Sequence, residues 1–270
     1  MAARPMPVVM VSAHTHEGAE QTMQALERGA VDFVTKPSGK NVVQDLAVLP
    51  TKVKAASRAR VSRMVRSARP VIAAPRAKNP NRFVIAIGAS TGGVDALLNV
   101  VSHFPKDCPP CLIVQHMPGK FTSSFARRLD ACTQAQVTEA QNGVALRAGH
   151  IYLAPGGERH MQLTYRPEMA CALVEGPAVT GHRPSVDVLF NSVAKLGKRA
   201  FGVLLTGMGA DGAKGLGQIR AAGGRTIGQD EASSIVYGMP RTAFEQGAVE
   251  RQLPLQAIGP AIMETCYALS

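Results

Sequence analysis

The sequence predicts an α/β fold built around a doubly wound, mostly parallel sheet with helices on both faces. Two observations support this prediction. From residue 82 onward, short apolar runs alternate with segments whose apolar residues recur at helical spacing. Strands that alternate with helices form parallel sheets, whose strands are buried on both faces and are therefore continuously apolar. With 270 residues, 46% of them hydrophobic, the chain is long enough for a sizeable core.

The hydrophobic pattern of the first 40 residues predicts a strand at 7–13, a helix at 18–28 and a second strand at 31–35. Two strands and one helix bury too little apolar surface to be stable alone. Residues 1–40 therefore either pack on the rest of the chain or form the end of a domain whose beginning is missing.

Residues 41–80 predict a basic linker with a helix around 51–67. This segment contains nine Lys and Arg residues against one acidic residue, Asp45, in a chain of net charge +11. A solvated linker is the favoured interpretation, and contact with an acidic partner is the alternative. Nucleic-acid binding is a weak third option, because the segment has no aromatic side chains that could stack on bases.

The main domain is predicted to span residues 81–270. Its strands are expected at 83–87, 111–115, 150–153, 201–205 and 226–227, and its helices at 94–103, 120–130, 186–197 and 212–222. In a doubly wound sheet, functional sites form beyond the carboxyl ends of the strands. The residues that follow each predicted strand are therefore the candidates for function.

Three of these residues form a chemically coherent set. Ser90 lies in a Gly-Ala-Ser-Thr-Gly-Gly turn between the first strand and the first helix, His116 follows the second strand, and Asp211 follows the fourth. A serine hydroxyl needs a base with a pKa near 7 to become a nucleophile, and that base needs a carboxylate to fix its tautomer. The sequence therefore predicts a Ser-His-Asp catalytic triad, with Asp230 as the second candidate for the carboxylate.

Each of these residues also has a structural interpretation. Ser90 could cap a helix, His116 could be an ordinary loop histidine, and Asp211 could shape a turn before Gly212. The triad is favoured because all three residues follow buried strands of one sheet. A dinucleotide site is excluded because the glycines do not follow the GxGxxG pattern and the second strand does not end in an acid.

Metal, redox and membrane functions have weak support. The spacing of Cys108 and Cys111 is that of a CxxC motif, but no second CxxC accompanies it, and the chain's five cysteines favour a reducing compartment. The pair His14 and His16 lacks a third ligand nearby. No apolar run reaches the length of a membrane span, and the N-terminus does not resemble a signal peptide.

Several long motifs resemble the bacterial chemotaxis protein-glutamate methylesterase (CheB) family. They cover essentially all of 82–270 and lie at 84–93, 113–118, 152–157, 182–187, 204–212 and 236–240. The resemblance implies a Rossmann-like, three-layer catalytic domain with the triad at Ser90, His116 and Asp211. It also implies hydrolysis of glutamate methyl esters on chemoreceptors, which releases methanol, and deamidation of receptor glutamines.

The implied mechanism is acyl transfer without a cofactor or metal. Backbone amides near Thr91 and in the turn that contains Met208 and Gly209 are expected to stabilise the oxyanion. The expected partners are the cytoplasmic helical regions of chemoreceptors, with the receptor tail and signalling-array proteins as further candidates. A cytoplasmic monomer that neither binds nucleic acid nor inserts into a membrane is expected.

Residues 5–40 resemble the end of a flavodoxin-like response-regulator receiver domain. In this resemblance Ser12 is the switch hydroxyl, Phe33 the switch aromatic residue and Lys36 the phosphate-contacting lysine. The phosphoacceptor aspartate of the family is absent from the sequence. We therefore expect a truncated receiver with exposed strand edges that is mobile or aggregation-prone. We also expect an esterase that does not respond to phosphodonors.

Three other functions stay open at this point. The chain could hydrolyse a different acyl substrate such as a small ester. It could be a binding module that holds an anion or an acidic helix in its glycine loops. It could also serve a signalling pathway other than chemotaxis.

Overall fold

The computed structural model describes residues 6–12, 16–37, 42, 46–57, 59, 82–165 and 167–268. The N-terminal unit consists of β1 (Val9–Ser12), α1 (His16–Glu27), β2 (Asp32–Thr35) and α2 (Leu49–Ser57). The strand–helix–strand order predicted for residues 1–40 is confirmed. Part of the linker helix predicted at 51–67 is present as α2, which ends at Ser57, and residues 60–67 lie outside the described residues. His14, a candidate metal ligand, also lies outside them.

The main domain contains nine strands and six α-helices in the part of the chain that the structure describes. In chain order they are β3 (Val84–Ala89), α3 (Gly93–Val101), β4 (Cys111–Gln115), α4 (Gly119–Asp130), β5 (Gln136–Glu139), β6 (His150–Leu153), β7 (Arg159–Thr164), β8 (Ala170–Glu175), α5 (Val186–Ala194), β9 (Ala200–Leu204), α6 (Ala213–Ala221), β10 (Arg225–Gln229), α7 (Met239–Glu245), β11 (Arg251–Leu253) and α8 (Leu255–Ala268). A short 3₁₀ turn, Gly197–Arg199, precedes β9.

Seven of these strands form one parallel sheet in the order β11-β10-β9-β3-β4-β6-β5. The chain runs from β3 to β4 on one side and later returns to place β9 on the other side of β3. This reversal puts the topological switch point at the carboxyl ends of β3, β4 and β9. The predicted α/β fold with a doubly wound, mostly parallel sheet is confirmed.

The core consists of two apolar layers, one on each face of the sheet. Alternation along β3 supplies both layers, because Ile85 and Ile87 point to one face and Val84 and Ala86 to the other. Apolar side chains of α3, α4 and α8 cover the first face, and those of α5, α6 and α7 cover the second. The sheet is therefore buried on both sides, as its continuous apolar strands require.

Several elements were not predicted from the sequence. They are β5, β11, α7, α8 and the antiparallel hairpin of β7 and β8, which is a separate two-stranded sheet. The hairpin lies on the layer of α5, where Leu163 donates its amide to the Ser192 hydroxyl. The chain that follows β8 returns to the carboxyl ends of the parallel strands, where it brings His182 and Ser185 to His116 and Asp211.

The N-terminal unit packs on the main domain. Ala19, Met23 and Leu26 of α1 belong to the same apolar layer as α3 and α4, and the ring of Phe33 lies 4.4 Å from that of Phe121. Among the described residues β1 pairs only with β2, and Val11 is exposed. Packing on the rest of the chain, the first of the two possibilities left open by the sequence, is therefore observed, and it is compatible with the second.

None of the helices in the described ranges combines the length and the apolar character needed to cross a membrane.

Candidate active site

Ser90 lies on a tight turn between β3 and α3. The Ser90 amide donates to the Thr206 carbonyl (3.0 Å), and the Ser90 carbonyl accepts from the Gly93 amide (2.8 Å). Gly92 has a left-handed φ of +77°, which favours glycine. The turn is therefore fixed from both sides, and it places the serine at the switch point of the sheet.

Gly207 allows the chain after β9 to approach this turn closely. A Cβ atom at position 207 would lie 2.8 Å from the Cβ of Ser90 and would collide with the sulfur of Met239. The Thr206 hydroxyl, next to it, donates to the Thr91 carbonyl (3.0 Å). The strand ends of β3 and β9 are thus packed directly against each other around Ser90.

His116 is brought beside Ser90 by the register of β3 and β4. Ala89 pairs with Gln115, and the His116 amide donates to the Ala89 carbonyl (3.1 Å). The buried Gln115 side chain donates to the carbonyls of Ser90 (2.9 Å) and His116 (3.1 Å). One amide side chain therefore ties together the backbones that carry the predicted nucleophile and base.

The structure also brings His116 to Asp211. Nε2 of His116 lies 2.9 Å from Oδ2 of Asp211, and the Asp211 side chain is fully buried. Asp211 lies just before α6, but its carboxylate sits at the N-terminus of α5. There it accepts from the Ser185 hydroxyl (2.7 Å) and from the amides of Val186 (2.7 Å) and Asp187 (3.1 Å).

These contacts explain how a buried carboxylate stays ionised. Burial by itself would raise the pKa of Asp211, but the hydrogen bonds from His116, Ser185 and Val186 outweigh it and lower the pKa well below its ordinary value. The positive end of the α5 dipole acts in the same direction. Asp211 is therefore a permanent negative charge against which an imidazolium can form.

The hydrogen bond to Asp211 defines the tautomer of His116. A carboxylate only accepts, so Nε2 carries the proton and Nδ1 is the nitrogen that remains to take up another. Within the described part of the chain, Nδ1 has no hydrogen-bond partner. No hydrogen bond joins it to the Ser90 hydroxyl, although both residues line the same cleft. Catalytic hydrogen bonds are often long in unliganded enzymes and shorten when substrate binds.

His182 is a residue of this site that sequence reasoning missed. Its ring stacks on that of His116, with centroids 3.8 Å apart and planes 10° from parallel. Burial, together with the nearby His116, lowers the pKa of His182 to about 4, so its ring is neutral at physiological pH. The only sequence signal was the His-Arg-Pro-Ser-Val-Asp motif at 182–187, which supported the family resemblance without suggesting a role.

Asp230, the second candidate for the carboxylate, is not brought to His116. Its Oδ1 accepts from the amide (2.9 Å) and the hydroxyl (2.6 Å) of Ser233, so it caps a turn after β10. The geometry therefore favours Asp211. None of the five cysteines forms a disulfide, and among the described residues no three His, Cys, Asp or Glu side chains form a group that could hold a metal ion.

The residues expected to supply oxyanion donors follow the ends of β3 and β9, which meet at Ser90 and Gly207. The amides of Thr91, Met208 and Gly209 donate to no acceptor among the residues that the structure describes. Gly209 adopts a left-handed φ of +87° in the turn after β9. The Thr91 side chain is occupied differently, because its hydroxyl donates to Asp32 Oδ2 of the N-terminal unit (2.6 Å).

Ser90 and His116 open into a cleft of about 1460 Å³ between the two units of the chain. The main domain supplies one wall, which includes Gln115. The N-terminal unit supplies the other with Asp32 and Phe33. Lys52 of α2 holds this second wall, because its ammonium group donates to Asp32 Oδ1 and to the Phe33 carbonyl, both at 2.8 Å.

Comparison with known proteins shows the family of the chain. The family model described as CheB methylesterase matches residues 85–262. The chain belongs to the CheB methylesterase family. The catalytic domain of Thermotoga maritima CheB methylesterase has a similar structure, with a TM-score of 0.66 and 34% sequence identity, and the match covers 68% of this chain and 98% of that one.

Two curated relatives extend the similarity over almost the whole chain. Protein-glutamate methylesterase/protein-glutamine glutaminase 1 of Caulobacter vibrioides is 54% identical over 272 residues, which cover 99% of this chain and 79% of the relative. The enzyme of the same type from Agrobacterium fabrum is 52% identical over 275 residues, covering 99% and 78%. The similarity to these CheB enzymes therefore includes the N-terminal unit.

Proposed function

We propose that Ser90, His116 and Asp211 give this CheB family enzyme its protein-glutamate methylesterase activity by acyl transfer. The observation that carries the proposal is the buried hydrogen bond between His116 and an ionised Asp211, at the sheet edge where the turn presents Ser90. A histidine held in one tautomer beside a serine on a strand-to-helix turn is the arrangement that converts a hydroxyl into a nucleophile.

In the first half of the reaction, the Ser90 oxygen attacks the ester carbonyl and Nδ1 of His116 takes up the hydroxyl proton. The imidazolium is stabilised by Asp211, which stays ionised. His116 then gives the proton to the methoxide oxygen, and methanol leaves as the acyl-enzyme forms. In the second half, His116 activates a water molecule that releases the glutamate carboxylate and regenerates Ser90.

The negative oxygen of the tetrahedral intermediate needs donors that are already in place. The unoccupied amides of Thr91, Met208 and Gly209 are suited to this role, because they flank Ser90 from two strand ends. A glutamine side chain can follow the same route, with ammonia as the leaving group. This accounts for a protein-glutamine glutaminase activity at the same site.

The substrates proposed for this enzyme are methylated and amidated side chains in the cytoplasmic helical regions of chemoreceptors. The open cleft beside Ser90 is suited to a residue presented on a helix surface. We also propose that the enzyme is a monomer and that it works in the cytoplasm. The cytoplasmic location is supported by the five cysteines, none of which forms a disulfide, as fits a reducing compartment.

We further propose that residues 1–40 correspond to the end of a receiver domain, followed by the basic linker 41–80 and the catalytic domain 81–270. The parallel pairing of β1 with β2 supports this assignment, because it places Ser12 opposite Thr35 and close to Lys36, whose amide donates to the Ser12 carbonyl. Phe33 lies two residues before Thr35, on the same face of β2, and its ring lies 4.4 Å from that of Phe121 in the catalytic domain.

The proposed nucleophile can be tested with a fluorophosphonate probe that labels activated serines. We expect the wild-type chain to be labelled at Ser90 and the Ser90→Ala variant not to be labelled. The Asp211→Asn variant should react at least about tenfold more slowly, because its His116 loses the partner that fixes the tautomer. Absence of labelling in the wild type would favour a non-enzymatic binding module instead.

A further inference from the structure

We infer that His160 is a positioning residue for Asp211: its imidazole ties together the two ends of the 177–185 segment. This segment carries Ser185 to Asp211 and His182 to His116. The inference rests on the proposed function, because it concerns how the charge partner of the catalytic base is held. His160 itself lies on β7, and it is buried, with 3% of its surface exposed.

Both ring nitrogens of His160 are used, and only one protonation state satisfies both. Nε2 lies 2.9 Å from the Pro177 carbonyl, which can only accept, so Nε2 carries the proton. Nδ1 lies 3.1 Å from the Ser185 amide and accepts from it. The neutral ring with the proton on Nε2 is therefore the single form that makes both hydrogen bonds.

The segment between these two contacts reaches the catalytic centre twice. A tight turn pairs the backbones of Val179 and His182 in both directions, and it presents the His182 ring to the face of His116. At the end of the segment, the Ser185 hydroxyl donates to Oδ1 of Asp211 (2.7 Å). The same ring thus fixes the backbone on either side of both contacts.

The result is a continuous series of hydrogen bonds from β7 to the base. The His160 ring holds the Ser185 amide, the Ser185 hydroxyl holds Asp211, and Asp211 holds His116. Ser185 is also the N-cap of α5, so its displacement would move the Val186 amide that binds Asp211 as well. A small displacement of a catalytic group strongly lowers the reaction rate, so loss of the His160 contact should lower kcat.

Three substitutions separate the two contacts of the ring. His160→Asn can place its Oδ1 where Nδ1 lies and so keep the bond to the Ser185 amide. His160→Gln can place an amide nitrogen where Nε2 lies and so keep only the bond to Pro177. His160→Leu removes both contacts at similar volume.

The experiment measures kcat and KM for methanol release from a methyl-esterified receptor fragment by the full chain. We expect His160→Leu and His160→Gln to lower kcat by about tenfold to a hundredfold, with KM changed less than about twofold. His160→Asn should retain kcat within about threefold. Ser185→Ala should lower kcat similarly, and its effect should not multiply with that of His160→Leu in the double variant.

His150→Leu is the matched control, since His150 lies at the amino end of β6, where its ring has one described hydrogen bond, with the Ala148 carbonyl, and stacks with the ring of Tyr152 at 6.1 Å. It should leave kcat unchanged. Equal activity of the Asn and Gln variants, or multiplying effects of His160→Leu and Ser185→Ala, would overturn the inference. The Ser90→Ala variant distinguishes the two proposals, because activity in that variant would refute the triad itself.

Discussion

Asp211 shows how a single residue can be built into two parts of the fold at once. It follows β9 in the chain, yet its carboxylate is held by the first amides and the N-cap hydroxyl of α5. A buried carboxylate is strongly disfavoured unless hydrogen bonds and opposite charge compensate for its lost hydration. Here the compensation comes from a helix N-terminus and from His116, so the charge that the proposed triad requires also joins two parts of the fold.

His182 leads to a prediction about acid stability. Its pKa is lowered to about 4 by burial and by the neighbouring His116, whereas histidine in an unfolded chain has a pKa of about 6.5. Between these values the unfolded chain binds a proton that the folded protein excludes, so stability falls as pH falls from about 6.5 towards 4. The charge of Asp211 raises the pKa of His182 and so weakens this pH dependence, whereas Lys52 lowers that pKa and strengthens it.

His182→Phe should retain the stacked ring and remove this titration. The variant should therefore gain stability relative to wild type at pH 5, and the gain should disappear at pH 8. Urea unfolding at the two pH values measures the difference. An equal difference between the two proteins at both pH values would contradict the assignment of a neutral, buried His182.

At the level of secondary structure elements, α5 and α6 cap each other. Asp211, beside the start of α6, binds the first amides of α5, and Asp187, in the first turn of α5, accepts from the Gly215 amide of α6 (2.7 Å). The N-terminus of α5 obtains its acceptor from the turn just before α6, and the N-terminus of α6 obtains one from the first turn of α5. This reciprocal capping fixes the position of one helix relative to the other, and with it the position of Asp211.

Asp187→Ala should therefore lower the free energy of unfolding by about 1–2 kcal/mol, the usual cost of losing a helix cap. Burial, with a smaller effect of Asp211, raises the pKa of Asp187, which indicates that a neutral acceptor suits this position. Asp187→Asn keeps the acceptor and should retain most of the stability. Chemical denaturation of the three proteins checks this, and equal losses in both variants would argue against the cap.

The strand ends show which features of the site could be predicted from the sequence. The proposed triad of Ser90, His116 and Asp211 is predictable because each residue follows a continuous apolar run, and such runs meet at one edge of a parallel sheet. The partners of Asp211 were not identifiable, since they depend on where α5 begins relative to β9. The stacking of His182 depends on the path of the 177–185 segment, for which sequence periodicity gives no information.

The same reasoning explains the fold elements that were missed. β5 has only one fully buried residue among four, and β11 has three residues with none fully buried, so neither forms a clear apolar run. The β7–β8 hairpin combines polar and apolar residues because one of its faces lies towards solvent. The motifs at the N-terminus predict the end of a receiver domain, but the contact of Asp32 with Thr91 is visible only in three dimensions.

On the scale of the whole molecule, the N-terminal unit forms one wall of the cleft that contains Ser90. Its most specific contact with the catalytic loop is the hydrogen bond from the Thr91 hydroxyl to Asp32 (2.6 Å). Asp32 also receives Lys52 of the linker helix, so three parts of the chain meet at one partly buried carboxylate. Access of a large substrate to Ser90 should therefore depend on how firmly this contact holds.

Asp32→Ala should raise kcat/KM for a methylated receptor fragment by up to about tenfold, as expected from losing hydrogen bonds to a charged group. Hydrolysis of a small chromogenic ester, which does not require a wide cleft, should change little. Glu20→Ala is the control, because it removes an exposed ion pair with Arg127 across the same interface. Equal effects on both substrates would show that Asp32 does not govern access.

The central claim is that Ser90 is the nucleophile of a protein-glutamate methylesterase. The most direct test measures methanol release from a methylated chemoreceptor by wild type and by Ser90→Ala, with circular dichroism to verify that the variant is folded. The account predicts turnover by the wild-type chain and a loss of at least about a thousandfold in the folded variant. Near-normal methanol release by folded Ser90→Ala would contradict it.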